Sequence, residues 1–149
     1  MLIRKCKIED ATILHRELGC NPEMLRYTGW NPYSSLAATK DFLSKAIVSK
    51  EEFSWVIEEN GNIVGTIGAY DYCSQDESIE IGYSIFQSFW GKGYASHAVA
   101  LVCEFLCSNT SIKCIKAWSA DENIASQKVL ERNGFIKKEI KIQKNKIIG

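Results

Sequence analysis

The sequence predicts a single α+β domain over residues 1–149, in which a mixed, mostly antiparallel central sheet is flanked by helices as an α/β sandwich. Strand and helix periodicities follow one another in the order β-α-α-β-β-β-α-β-α-β. Short polar connections join the three middle strands, which is typical of an antiparallel meander. One long helix separates two later strands, and such a crossover predicts a single parallel pair.

The N-terminal third predicts one strand and two helices around an irregular segment. Residues 1–7 form the strand, Asp10 is the expected N-cap of the first helix, and Gly19 ends it. Residues 19–35 contain both prolines and are predicted to be irregular. Ser34 or Ser35 is expected to cap the second helix, whose apolar stripe comprises Leu36, Phe42, Leu43, Ala46 and Ile47.

The remaining elements are bounded by turn residues. A strong hairpin turn at residues 59–62 separates two strands, and Gly134 is a typical left-handed helix end. The predicted strands are 53–58, 63–70, 78–86, 113–118 and 135–142, and the predicted helices are 94–107 and 123–133.

Composition excludes several kinds of partner. The chain has 18 basic and 18 acidic side chains, so a nucleic-acid partner is not expected, and the Lys-rich tail from Lys137 is interpreted as a solvated edge strand. No apolar run approaches the roughly 18 residues that span a bilayer, and the N-terminus does not resemble a signal peptide. We therefore expect a cytoplasmic protein without a membrane partner. Six cysteines without a CxxC pair and two histidines predict no metal site.

A glycine-rich turn lies between a predicted strand and the longest helix. Gly91 and Gly93 allow close approach of the backbone to an anion, and the helix N-terminus supplies free N–H groups. Tyr94 stands where a P-loop needs Lys. Ser96 stands where a dinucleotide fingerprint has its third glycine, and the preceding meander does not fit that fold.

Four motifs in order, together with one loop, resemble the GNAT superfamily of N-acetyltransferases, and most closely its branch of ribosomal-protein N-terminal alanine acetyltransferases. The motifs are residues 80–85 (EIGYSI), 90–95 (WGKGYA), 123–126 (NIAS) and 130–135 (LERNGF), and the loop is 24–30 (MLRYTGW).

The resemblance implies acetyl-CoA as co-substrate, with no metal. Its pantetheine arm would lie in a gap between strand 82–86 and strand 113–118 and pair with the main chain of Tyr83, Ser84 and Ile85. The amide near Ile85 would polarise the thioester carbonyl. Trp90 occupies the first position of the superfamily signature, where less side-chain contact to phosphate is expected. The pyrophosphate would be held by Gly91, Lys92, Gly93, Tyr94, Ala95 and Ser96.

The same resemblance implies catalytic roles for two residues. Glu80 would be the general base, although its alternation with apolar neighbours also fits an ordinary half-buried strand. Ser126 would donate to the leaving thiolate. Asn123 would bind pantetheine or cap its helix. No cysteine falls at a motif position, so direct attack in a ternary complex is favoured over a covalent intermediate.

The acceptor is not defined by the sequence. The resemblance places Tyr27, Trp30 and Tyr33 in an acceptor pocket, although these aromatic residues equally suit packing of helices on the sheet. A protein N-terminus, a polyamine, an amino acid and an antibiotic amine all remain candidates. Compared with the family, the C-terminal strand is expected to be short or missing, and an exposed sheet edge would favour a homodimer. Two alternatives are an acetyl-CoA-binding sensor of the same fold and a protein-interaction domain without a cofactor.

Overall fold

The central sheet contains five strands arranged in chain order. The computed structural model describes residues 1–19, 35–49, 52–119, 123–136, 141–143 and 146–148. The strands are β1 (Leu2–Lys5), β2 (Phe53–Glu59), β3 (Asn62–Cys73), β4 (Ser78–Ile85) and β5 (Cys114–Lys116). Neighbours are antiparallel except β4 and β5, which are parallel. This confirms the predicted mixed, mostly antiparallel sheet.

In the described part of the chain, four α-helices accompany this sheet, and two of them begin with the predicted cap. They are α1 (Ala11–Leu14), α2 (Leu36–Val48), α3 (Tyr94–Asn109) and α4 (Ile124–Arg132). A 3-10 turn precedes α1 and a π-helical turn follows it. The Ser35 hydroxyl accepts a bond from the Ala38 N–H at 3.1 Å, and the Asn123 side chain accepts one from the Ser126 N–H at 3.1 Å. Both caps satisfy an N–H that lacks an acceptor within its helix.

Asp10 does not cap α1, contrary to the prediction. Its own backbone is already helical, with φ −70° and ψ −15°, and no side-chain cap bond is formed. The carboxylate instead accepts from the Lys7 N–H at 2.8 Å and from Arg4. Asp10 therefore fixes the 3-10 turn to β1.

The two faces of the sheet carry separate cores. On one face, α3 packs through Val99 and Val102 against strand residues such as Ile57 and Ile81. On the other, α1 and α2 pack against Val56 and Phe86 through Ala11, Leu14 and Leu43, together with Cys6. The sheet therefore lies between two helical layers, as predicted.

The apolar stripe of α2 was predicted incorrectly at two positions. Phe42 is 55% exposed and Ile47 is 40% exposed. The buried line contains Thr39 and Leu43, and Phe42, one residue before Leu43, points about 100° away from it. Ile47 continues that line but lies in the last turn of the helix, where it is exposed.

The C-terminal region differs from the predicted strand over residues 135–142. Phe135 and Ile136 lie outside any strand, since the Phe135 N–H donates to the Leu130 carbonyl at 3.0 Å and completes the end of α4. Two three-residue strands, β6 (Lys141–Gln143) and β7 (Lys146–Ile148), then pair with each other. Whether the C-terminal strand is shorter than in the family stays a prediction, because residues 137–140, 144–145 and 149 lie outside the described part of the chain.

Candidate active site

Strands β4 and β5 separate after three residue pairs. The pairs are Ser78 with Cys114, Ile79 with Ile115, and Glu80 with Lys116. Beyond Glu80, β4 continues to Ile85 along β3, whereas β5 ends. Beyond Glu80, β4 therefore has no β5 partner, and the opening beside it is called the split below. The resemblance to the GNAT superfamily implied such a gap from Gly82 onward.

The main chain of β4 offers hydrogen-bonding groups to the split. The Glu77 carbonyl accepts from the Lys113 N–H on the β5 side, and the Phe86 N–H donates to the Val64 carbonyl on the β3 side, both at 2.8 Å. Successive residues of a strand direct these groups to opposite neighbours. Tyr83 and Ile85 therefore face the split. Ser84, which was predicted to take the same role, directs its main chain toward β3.

The glycine turn stands between the end of β4 and the start of α3. Gly91 and Gly93 have φ of 79° and 80°, and Gly93 is the residue before α3. A Cβ at either position would meet no atom within 4 Å, so the positive φ, and not crowding, requires glycine. The first helical bond runs from the His97 N–H to the Gly93 carbonyl, at 3.2 Å. The N–H groups of the first turn are thus left without an acceptor within the helix, which favours an anion.

Trp90 connects this turn to the edge of the split. Its indole Nε1–H donates to the Ile85 carbonyl at 2.7 Å, while the side chain remains 48% exposed. The sequence predicted only that Trp90 would contact phosphate less than a polar residue. The contact with Ile85 depends on the short 3-10 turn at Gln87–Phe89, which brings Trp90 back toward β4.

Ser126 is held from two directions. The Asn123 side chain accepts from its N–H, and the Tyr83 Oη lies 2.7 Å from its Oγ. Burial raises the pKa of Tyr83 and outweighs the lowering effect of the hydrogen bond with Ser126, so the phenol stays protonated. The hydrogen bond between the two hydroxyls connects β4 to α4, the helix that follows β5. The sequence indicated Ser126 and Asn123 but missed the side chain of Tyr83.

Glu80 lies on the opposite face of β4, toward α1 and α2. Its cross-strand partner Tyr70 donates a hydrogen bond to the Glu80 side chain. Burial, with the charge and hydrogen bond of Glu80, raises the pKa of Tyr70. The Tyr70 ring lies over Gly82, where an added Cβ would be 2.8 Å from its Oη. Gly82 thus makes room for the ring that orients Glu80.

Asn133 ties the C-terminal end of α4 to the first turn of α3. Its side-chain amide donates to the Ser96 carbonyl at 3.2 Å and to the Ser96 Oγ at 3.3 Å. Ser96 lies in the first turn of α3, next to the glycine turn. The motif at residues 130–135 contains Asn133, but its long-range partner could not be read from the sequence.

Several predictions fall where the structure gives no description or finds nothing. Tyr27, Trp30 and Tyr33 lie outside the described residues. Among the described residues, no group of three or more His, Cys, Asp or Glu side chains is placed to hold a metal ion. Within the same part of the chain, no helix has the length and apolar character needed to cross a membrane.

The fold and the split define the class of protein, that of the GNAT N-acetyltransferases. The spermidine N-acetyltransferase of Vibrio cholerae, solved with CoA and spermine, superposes with a TM-score of 0.88 at 21% identity, over 99% of this chain and 88% of that one. A GNAT-family acetyltransferase from Bacillus anthracis gives 0.84 at 23% identity, over 99% and 89%. At these identities the likeness establishes the fold.

The family model described as the acetyltransferase (GNAT) domain matches residues 1–136, and the chain belongs to this family. An uncharacterized N-acetyltransferase of Bacillus licheniformis, p20, is 28% identical over 92% of this chain and 79% of its own length. YnaD of Bacillus subtilis, an uncharacterized N-acetyltransferase, is 30% identical over 93% and 83%. The protein is therefore an acetyltransferase, while membership of the ribosomal-protein branch stays a prediction.

Proposed function

We propose that the protein transfers the acetyl group of acetyl-CoA to a primary amine by direct attack in a ternary complex. The observation that carries the proposal is the split, which begins at Glu80 and has the glycine turn at its far end. It exposes strand-edge hydrogen-bonding groups along one wall. Polar side chains stand on both faces of β4 beside it.

The described residues suit acetyl-CoA, which supplies an activated acyl thioester when bound. The first turn of α3 after Gly93 offers N–H groups and a positive helix end to the pyrophosphate. The main-chain groups of Tyr83 and the N–H of Ile85 suit the amides of pantetheine, as the edge of a strand suits an added strand. The Ile85 carbonyl already accepts from Trp90. Lys92 adds a positive charge beside this turn, with its Nζ 5.6 Å from the centre of the Phe89 ring.

In the proposed reaction, Glu80 accepts a proton on one face of β4, and Ser126 donates a hydrogen bond on the other. An acceptor amine is largely protonated at neutral pH and attacks only when neutral, and Glu80 would accept the proton on the side of α1 and α2. Ser126 would donate a hydrogen bond to the sulfur as it leaves. Asn123 serves this step by capping α4 and thereby fixing Ser126.

The acceptor would be either a protein N-terminal α-amine or a small-molecule amine. The Vibrio cholerae structure, named a spermidine N-acetyltransferase, supports testing polyamines. The predicted ribosomal-protein branch supports testing peptides that begin with alanine. An acetyl-CoA-binding sensor of the same fold would bind the nucleotide and release no thiol with either class.

The test combines thermal unfolding with a thiol-release assay. Acetyl-CoA at 100 times its Kd should add about 2.7 kcal/mol to the free energy of unfolding. Gly93→Ala should weaken this effect, because alanine disfavours the positive φ from which α3 begins. Gly134→Ala is the matched control, since Gly134 has φ 84° and an equally open Cβ position at the end of α4. No stabilisation at millimolar CoA would refute the proposal, and binding without thiol release across the amines would indicate the sensor.

A further inference from the structure

The Tyr83–Ser126 contact is placed where a leaving group would depart. Tyr83 lies on β4 beyond the last pair with β5, and its main chain faces the split. Ser126 lies in the first turn of α4, the helix that follows β5. The bond between their hydroxyls at 2.7 Å therefore reaches across the split.

Either hydroxyl of this pair can donate, and the Tyr83 phenol has two oxygens of Ser126 within reach. The Tyr83 Oη is 2.7 Å from the Ser126 Oγ and 3.3 Å from the Ser126 carbonyl oxygen. Bonds between O–H donors and oxygen acceptors are usually about 2.7–2.8 Å and seldom exceed about 3.0 Å. Of the two Ser126 oxygens, Oγ is thus the better acceptor for the phenol. When Tyr83 donates to it, the proton of Ser126 is free for another acceptor.

We propose that Tyr83 is a positioning residue that turns the Ser126 hydroxyl proton into the split, toward the sulfur of the departing thiolate. The inference rests on the proposed acetyl transfer. As the amine nitrogen bonds to the acetyl carbon, the C–S bond breaks and sulfur keeps the electron pair. Ser126 donates a hydrogen bond to this thiolate, which takes its proton from solvent. Tyr83 remains protonated throughout.

The test is a double-mutant cycle on turnover, with CoA affinity measured in parallel. Tyr83→Phe removes one hydroxyl and should lower kcat about tenfold, while the Kd for CoA stays within about twofold. Ser126→Ala should lower kcat at least as much. The double variant should be no slower than Ser126→Ala alone, because Tyr83 acts through Ser126. Tyr72→Phe is the matched control, since Tyr72 is 44% exposed on β3, and it should match wild type.

A second measurement separates proton donation from packing. Replacing the Tyr83 phenol by its 3-fluoro analogue keeps the ring and the hydroxyl but lowers the phenol pKa. Its kcat should match wild type near pH 7 and fall at a lower alkaline pH, because an ionised phenol no longer donates. The inference would be overturned if Tyr83→Phe left kcat unchanged. It would also be overturned if the two losses of kcat multiplied in the double variant, or if the pH profile of the fluorinated protein were not shifted. Wild type that releases no thiol with any amine would instead refute the proposed function, and this inference with it.

Discussion

Two polar regions of the molecule use their hydrogen-bonding groups in opposite ways. At the N-terminal side, Arg4 binds both oxygens of Asp10, at 3.0 and 2.9 Å, and Glu58 at 2.6 Å. Asp10 also accepts from the Lys7 N–H, so this arginine cluster is internally complete. At the split, the main chain of β4 beyond Glu80 has no β5 partner.

The difference separates groups that hold the fold from groups that the proposed function assigns to the reaction. A completed ionic cluster has little capacity left for a ligand, and removing one of its partners leaves a buried charge uncompensated, which destabilises the fold. An open strand edge contributes less to stability and is available to pair with one. Changes in the arginine cluster should therefore alter unfolding with little effect on CoA binding, and changes at the split should do the reverse.

The largest effect is expected from Arg4→Met. The variant leaves the Asp10 carboxylate, which is 6% exposed, without its cation, and should cost about 3 kcal/mol in the free energy of unfolding. Urea unfolding measures this loss, and the Kd for CoA should not change. Lys45→Met is the control, because the Lys45–Asp41 pair is exposed and should contribute less than about 1 kcal/mol. Equal losses in the two variants would contradict the comparison.

The second prediction concerns the split. Glu80→Gln keeps an acceptor for Tyr70 but cannot take a proton, so kcat should fall by about 100-fold near pH 7. The deficit should shrink above the pKa of the acceptor amine, where no proton has to be removed before attack. Glu131→Gln, at an exposed position of α4, is the control. A deficit that is the same at every pH would assign Glu80 to binding or structure instead of base catalysis.

The third prediction is an acid dependence of stability. Burial alone would raise the pKa of Asp10, but hydrogen bonds from Arg4 and the Lys7 N–H hold it below its ordinary value. A carboxylate with a lowered folded-state pKa contributes stability that is present above its unfolded pKa, about 3.9. The contribution is lost as the pH falls through the folded-state value. Urea midpoints between about pH 2 and 5 should show this loss in wild type and a smaller one in Arg4→Met. Parallel curves would disprove the assignment.

Local signals in the sequence were sufficient for the fold and for the glycine turn before α3. Gly91 and Gly93 were predicted at the turn for close backbone approach, and their positive φ was not foreseen. Gly134 was predicted in a left-handed position and has a positive φ, and the caps Ser35 and Asn123 formed as expected. These features depend on residues a few positions apart. They can therefore be read without a tertiary structure.

Features that depend on residues far apart were missed or misjudged. Tyr83 and Ser126 are 43 positions apart, and Asn133 and Ser96 are 37 apart. Asp10 looked like a cap because the bidentate bond from Arg4 cannot be seen in a local pattern. Phe42 was predicted to be buried because it is apolar and adjacent in sequence to Leu43, and a helical pattern of apolar residues does not by itself show which of two neighbours faces the core.

The smallest effect is expected from a pair of matched helix caps. Ser35 and Asn123 each accept one N–H bond at 3.1 Å, at the start of α2 and of α4. Replacement by alanine should cost about 1 kcal/mol of stability at either site. Only Asn123→Ala should also lower kcat, because its bonding partner is the N–H of Ser126, whose hydroxyl faces Tyr83. Ser35→Ala should leave kcat unchanged when both variants are assayed well below their Tm. Equal losses of kcat would mean that helix stability limits turnover, and the separation between the structural and the catalytic regions would not hold.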